Sequence, residues 1–245
     1  MQYSHRILGP AAQPSEPRHG CALAIMTKAP RAGQVKTRLV PPLTPAEAAE
    51  LNAAFLRDLS ISIVRACKMA PAHAVAVYSP IGSEEAYQDI LPSEFSLLPQ
   101  RGQSFGERLI FAAEDLFAVG FDSVCLINSD SPTVPAQNFA EAALELAEPA
   151  DRIILGPADD GGYYLIGLKK MRRRLFEEIE WSTERVYEQT KQRTTELGLR
   201  LHELARGLDI DDRATLLRLR DELMASKSTA DVAPHTREFL ARLKF

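Results

Sequence analysis

Residues Lys28–Leu39 read "KAPRAGQVKTRL" and place Lys28, Arg31, Lys36 and Arg38 within twelve residues that contain no acid. With 29 Lys and Arg in 245 residues, a stretch of this length should hold about 1.4 of them. The segment leaves an apolar run, CALAIM (Cys21–Met26), of the kind a strand buried on both faces requires. In an open α/β sheet, the carboxyl end of such a strand is the ligand edge. The loop's one glycine, Gly33, permits close backbone approach, so an anion such as phosphate is its natural guest. The pattern is neither G-x-x-x-x-G-K-[ST] nor G-x-G-x-x-G, so a Walker-type NTPase and a dinucleotide-binding Rossmann enzyme both lose their main support. A solvated turn is the alternative use.

Three acidic stretches could complement that loop. In "INSDSPTVP" (Ile127–Pro135), Asp130 follows an apolar strand, where a carboxylate can bind Mg²⁺ or Mn²⁺ and leave coordination positions for water and phosphate. In "GPADDGGYYLIGL", Asp159 and Asp160 precede Gly161 and Gly162, which bring backbone close to a ligand before the chain returns as a strand. In "GLDIDD", Asp209 and Asp211 are two apart, so a strand would point both to one side. Each acid also has a purely structural use, as a turn former or as the N-cap of the next helix. Trp181 can stack on a base or sugar ring, or pack beside a helix start. Arg108 can reach a donor phosphate or stay a helix surface charge.

The elements that must position these residues alternate between strand and helix. The segment after the basic loop opens with Thr44, Pro45 and Glu47, an N-cap, a first-turn proline and a capping-box acid, and continues Leu51, Phe55, Leu59, Ile63 at helical spacing. AVAVY, FSLLP, SVCLIN, RIILGPA, YYLIGL and LRLHEL read as further strands. SFGERLIFAAEDLFAVG is a helix stopped by Gly120, and PAQNFAEAALELA is another. STERVYEQTKQRTTELG reads as a helix capped by Ser182 or Thr183, and a last helix starts near Arg213. The pattern predicts a three-layer α/β/α sandwich around a mostly parallel sheet. Its boundaries are expected at a tail over 1–19, a nucleotide-binding transferase domain over 20–225 and a helical extension over 226–245.

Composition bounds the function. The chain is 45% hydrophobic and 25% charged with a net charge of −4, which excludes a general electrostatic grip on nucleic acid. No stretch approaches the roughly 20 apolar residues of a membrane span, and the start lacks the apolar centre of a signal peptide, so a cytoplasmic protein without membrane partners is expected. Cys21, Cys67 and Cys125 suit reduced core thiols. No G-x-S-x-G accompanies the scattered histidines, which argues against a Ser-His-Asp hydrolase.

Taken together, "KAPRAGQVKTRL", "QSFGERL", "INSDSPTVP", "LGPADDGGYYLIGL", "IEWST" and "LDIDD" resemble, in that order, the glycosyltransferase-A-like proteins of the radical-SAM/selenodomain-associated or arsenosugar type. These are cousins of the nucleotidyltransferases that make molybdenum guanine dinucleotide or activate phospholactate. The resemblance runs from about Cys21 to Leu219. It implies a nucleotide-diphospho-sugar transferase fold (GT-A, Rossmann-like) with Lys28, Ala29, Pro30, Arg31, Gly33, Lys36, Arg38 and Arg108 around the nucleotide phosphates. It further implies Asp130, Asp209 and Asp211 as ligands of a divalent cation, and Asp159, Asp160, Gly161, Gly162 and Trp181 beside the substrate. Asp160 is the candidate for gripping the sugar or taking the acceptor proton, Asp159 its alternative, and Lys36 a candidate for charge stabilisation. The sequence departs from the pattern at Ser129-Asp130-Ser131, which is not Asp-x-Asp, and at Asn128, where glycine is usual. The expected activity is sugar transfer from a nucleoside-diphosphate donor to a small acceptor. Nucleotidylyl transfer from an NTP to a phosphorylated small molecule, and a non-catalytic nucleotide-binding module, are the alternatives. A homodimer is compatible with all three.

Overall fold

In a computed structural model that describes residues 5–9, 18–225 and 231–243, eight strands form one sheet. The expected tail over 1–19 and extension over 226–245 therefore lie partly outside the described residues. The strands are β1 (Arg6–Ile7), β2 (Cys21–Lys28), β3 (Ala72–Ser79), β4 (Ser96–Pro99), β5 (Ser123–Ile127), β6 (Arg152–Pro157), β7 (Tyr163–Leu168) and β8 (Arg200–Glu203). The helices are α1 (Pro45–Cys67), α2 (Phe105–Val119), α3 (Ala136–Ala147), α4 (Val186–Glu196), α5 (Arg213–Ala225) and α6 (Pro234–Arg242). The sheet order is β1-β4-β3-β2-β5-β7-β6-β8. Every pair is parallel except those of β7, which runs antiparallel to β5 and β6. Only Ala158–Gly162 connect β6 to β7, too few for the crossover of a dozen or more residues that a parallel pair needs.

β2 is the central strand, paired along its whole length with β3. Its side chains alternate, as a strand buried on both faces requires. Cys21, Leu23 and Ile25 pack with Leu56, Leu59 and Ile63 of α1 and with Phe139 of α3. Ala22 and Ala24 face Leu109, Ala113 and Leu116 of α2. A third cluster joins α1 through Leu51 and Phe55 to Leu216 and Leu219 of α5 and Phe239 of α6.

The expected start of α1 is found, with a complete capping box between Thr44 and Glu47. α2 has a second one between Ser104 and Glu107 and stops at Gly120, whose φ of 104° suits glycine. α4 corrects its expected start. It begins at Val186, and Ser182 sits outside it with φ 65°, a left-handed turn residue and not a cap. Residues 208–212, where Asp209 and Asp211 were read at strand spacing, are irregular. The three cysteines are free, with Cys21 and Cys125 Sγ atoms 3.7 Å apart in the core. Among the described residues, no helix is long and apolar enough to cross a membrane.

Candidate functional site

A cleft of about 580 Å³ opens at the carboxyl edge of the sheet. It is bounded by Gln100 after β4, Ser79 of β3, Lys28 of β2, Asn128–Asp130 after β5, and Gly162 and Tyr163 at the start of β7. Asp209, Asp211 and Asp212 close it from the segment before α5. This is the ligand position of an open α/β sheet.

The acids are gathered by a lysine. Lys36 has a left-handed backbone (φ 49°) and turns its side chain inward until only 5% of it is exposed. Its Nζ lies 2.8 Å from Asp130 Oδ1 and 3.4 Å from Asp211 Oδ1, and donates to the Ile210 carbonyl oxygen. Burial alone would lower the pKa of this ammonium. The charges of Asp130, Asp211 and Asp209 outweigh that effect and raise it above the ordinary lysine value. Lys36 thus joins the loop after β2 to the segment before α5 by side-chain contacts. It was expected to point at phosphate, and its ammonium is instead engaged by the acids.

Asp209 is the most deeply set of these carboxylates. Its Oδ1 accepts from Asn128 Nδ2 at 2.9 Å and from Ser131 Oγ at 3.3 Å. Burial, then the charge of Asp130, pushes its pKa up to about 8, with Lys36 opposing. Asn128 therefore has a definite task, to hold a buried carboxyl. Asp130 is fixed by its own neighbours. Its amide donates to Asn128 Oδ1 at 3.3 Å, its Oδ1 accepts from Ser129 Oγ at 3.1 Å, and its carbonyl accepts from Ile210 N at 3.1 Å.

The remaining expected residues divide. Lys28, Arg38 and Arg108 line the cleft, with Arg38 NH1 3.6 Å from Asp211 Oδ2. Ala29 is buried and its N–H donates to the Ser79 carbonyl at 2.8 Å, so it shapes the loop base. Pro30, Arg31 and Gly33 lie outside the cleft wall, Gly33 with φ 73° and open space around it. Asp160 faces the cleft, where its Oδ1 accepts from Gly162 N at 2.9 Å. Asp159 is turned away and paired with Arg218 NH1 at 2.7 Å. Gly161 must be glycine: a Cβ there would stand 2.2 Å from the Glu184 carbonyl oxygen, and its φ is 85°. Trp181 packs edge-to-face on Phe105, ring centroids 5.1 Å apart. Ser79, Gln100 and Phe105 were not singled out from the sequence. Phe105 alone carried a signal, an apolar ring at the first position of a capped helix.

Carboxylate oxygens suit a hard divalent cation. Among the described residues, no three His, Cys, Asp or Glu side chains are arranged to hold a metal ion. Asp130 and Asp211 are both engaged by the Lys36 ammonium, and their oxygen chemistry suits the mode in which Mg²⁺ takes one or two carboxylates and completes its shell with substrate phosphates.

Comparisons with known proteins bear on the fold. A family model described as an uncharacterized protein conserved in bacteria (DUF2064) matches residues 63–183. The centre of the chain is similar to that family. The crystal structure of a proposed nucleotide-diphospho-sugar transferase from Desulfovibrio desulfuricans G20 superposes with a TM-score of 0.78 at 27% identity, over 92% of this chain and 95% of that one. CMP:2-keto-3-deoxy-manno-octonic acid synthetase, solved with CTP, aligns at TM-score 0.51 and 15% identity over 84% and 98% of the two chains. The 4-diphosphocytidyl-2C-methyl-D-erythritol synthase of Anaerococcus prevotii DSM 20548 aligns at TM-score 0.50 and 10% identity over 92% and 97%. Comparison with curated proteins finds no match. The three-layer fold with its mostly parallel sheet is therefore shared with nucleotide-diphospho-sugar transferases.

Proposed function

We propose that the protein is a nucleotide-dependent transferase that moves a sugar from a nucleoside-diphosphate donor to a small hydroxyl acceptor. One observation carries the reading: Lys28 and Arg38 line the same cleft as Asp130, Asp209, Asp211 and Asp160, with Arg38 3.6 Å from Asp211. Cations and acids face one another there, as neutralising a diphosphate from two sides demands. The likeness to the Desulfovibrio protein supports it.

In this reading Lys28 and Arg38 hold the donor diphosphate, and Lys36 positions Asp130 and Asp211. A divalent cation held by Asp130, Asp211 and the donor phosphates would supply further neutralisation of the charge that develops on the leaving group. The acceptor oxygen bonds to the sugar anomeric carbon, and the bond from that carbon to the diphosphate oxygen breaks. The electron pair leaves with the nucleoside diphosphate, and the hydroxyl proton passes to Asp160. Preorganised charges aimed at the departing diphosphate are the largest contribution expected from such a site.

A thermal-shift panel of NTPs and nucleoside-diphosphate sugars, each with and without Mg²⁺ or Mn²⁺, tests the reading. Ligands that bind only the native state raise Tm. A nucleoside-diphosphate sugar should raise it more with metal than without, and an unresponsive protein across the panel contradicts the proposal.

A further inference from the structure

We infer that the β7 end of the cleft is an acceptor subsite that takes a ring-bearing hydroxyl compound, stacked on the shelf formed by Phe105 and Trp181. The inference rests on the donor reading above and adds to it where the acceptor lies and what kind of molecule it is.

The strand order divides the cleft into three parts. Ser79 and Gln100, at the ends of β3 and β4, offer a hydroxyl and an amide, groups suited to the polar edge of a base. Lys28 and Asp130, at the ends of β2 and β5, mark the phosphate centre. Beyond them lies the turn before β7, which carries Asp160 and Gly162. The segment bearing Trp181 is fastened at that end, since Tyr187 N donates to the Gly161 carbonyl at 2.9 Å and Glu184 backbone fills the space a Gly161 side chain would need.

Phe105 and Trp181 are the large apolar rings in a cleft that also carries Arg108, Asp160 and Glu184. Met26, Leu109 and Val186 also line the cleft, and Phe105 leaves 51% of its surface open to solvent. An exposed ring beside a pocket is surface that a stacked ligand would cover. The shelf is also built with care. Trp181 lies between Glu178 (φ 53°) and Ser182 (φ 65°), non-glycine residues in left-handed conformations of the kind that concentrate at functional sites. Gly106 has no side chain where one would stand 2.7 Å from Trp181 Nε1. Two aromatic rings set edge to face at 69° present a corner into which a flat or C–H-faced ring fits, and Asp160 is the acid on hand for its hydroxyl.

Trp181 is the chain's single tryptophan, so its emission reports on the shelf. The test titrates phenyl β-D-glucopyranoside, and glycerol as a hydroxyl compound without a ring, into the full chain with and without UDP, GDP or CDP and Mg²⁺. Nucleotide affinity is measured separately by calorimetry. The glucoside should change Trp181 emission and glycerol should not. Phe105→Ala should raise the glucoside Kd at least tenfold while nucleoside-diphosphate affinity stays within twofold. An emission indifferent to the glucoside overturns the subsite. A parallel loss of nucleotide affinity in Phe105→Ala overturns it too, because the shelf would then hold the base. Failure of the donor reading is a separate result, no nucleoside-diphosphate binding by the unaltered protein.

Discussion

The Lys36 ammonium stands 2.8 Å from the Asp130 carboxylate, on a residue whose backbone is left-handed. Strain of this kind persists only where the surroundings hold it, and here the hold is the acid pair itself. Removing the cation leaves Asp130 and Asp211 facing each other. Lys36→Ala should therefore destabilise the fold by about 2 to 3 kcal/mol in urea denaturation, below the range for fully buried pairs because 28% of the Asp130 side chain is exposed. A change under about 0.5 kcal/mol would mean that Lys36 is free in solution.

Asp209 makes stability depend on pH. Its carboxyl pKa is raised from 3.8 to about 8, so the folded state binds a proton that the unfolded state has lost between those values. Stability should fall as pH rises from about 4 to about 8 and level off beyond. Asp209→Asn keeps an acceptor for Asn128 and Ser131 without the titration. Its Tm should lose that slope, measured by calorimetry between pH 5 and 8.

Lys28 and Arg38 line the cleft, Arg38 at 3.6 Å from Asp211, and in the proposed reading Lys28 is the cation available to phosphate. Lys28→Ala should weaken nucleoside-diphosphate binding by about 1 to 3 kcal/mol, the range for a charge-assisted hydrogen bond, and leave Tm nearly unchanged. Calorimetric titration of UDP, GDP and CDP measures it.

A buried acid caps α6, which also packs through Phe239 on α1 and α5. Asp58 of α1 accepts from His235 N at 3.0 Å, His235 Nδ1 at 2.8 Å and Thr236 N at 2.8 Å, and so caps α6. Asp58→Ala should cost about 2 kcal/mol, the upper range for a lost cap. Hydrogen exchange should accelerate in residues 234–242 before the rest of the chain.

Much of this architecture was legible because local signals decide it. The CALAIM run, the Thr44 cap and the Gly120 stop each depend on residues within a few positions. What the sequence withheld is made by distant contacts. Lys36 meets Asp211 across 175 positions, and nothing near Lys36 marks it as inward-facing, since a left-handed turn usually advertises itself with glycine. Asp159 and Asp160 are neighbours in one turn, and the partners that separate them, Arg218 on α5 for Asp159 and Gly162 N for Asp160, are not legible in the sequence. Ser182 reads as a helix cap by type, but the strap that carries Trp181 uses it as a turn. The acids at 209 and 211 reach one site through an irregular segment, not by strand alternation.

The central claim is transfer from a nucleoside-diphosphate donor, and the leaving group tests it most directly. The full chain is incubated with nucleoside-diphosphate sugars, or with NTPs, in Mg²⁺ and a panel of ring alcohols, and coupled assays follow nucleoside diphosphate and pyrophosphate. Release of a nucleoside diphosphate that requires both donor sugar and acceptor, and that falls at least a hundredfold in Asp160→Asn, is the predicted result. Pyrophosphate released from an NTP in the presence of a phosphorylated acceptor, with no turnover of any nucleotide sugar, would contradict it and assign the cleft to nucleotidylyl transfer.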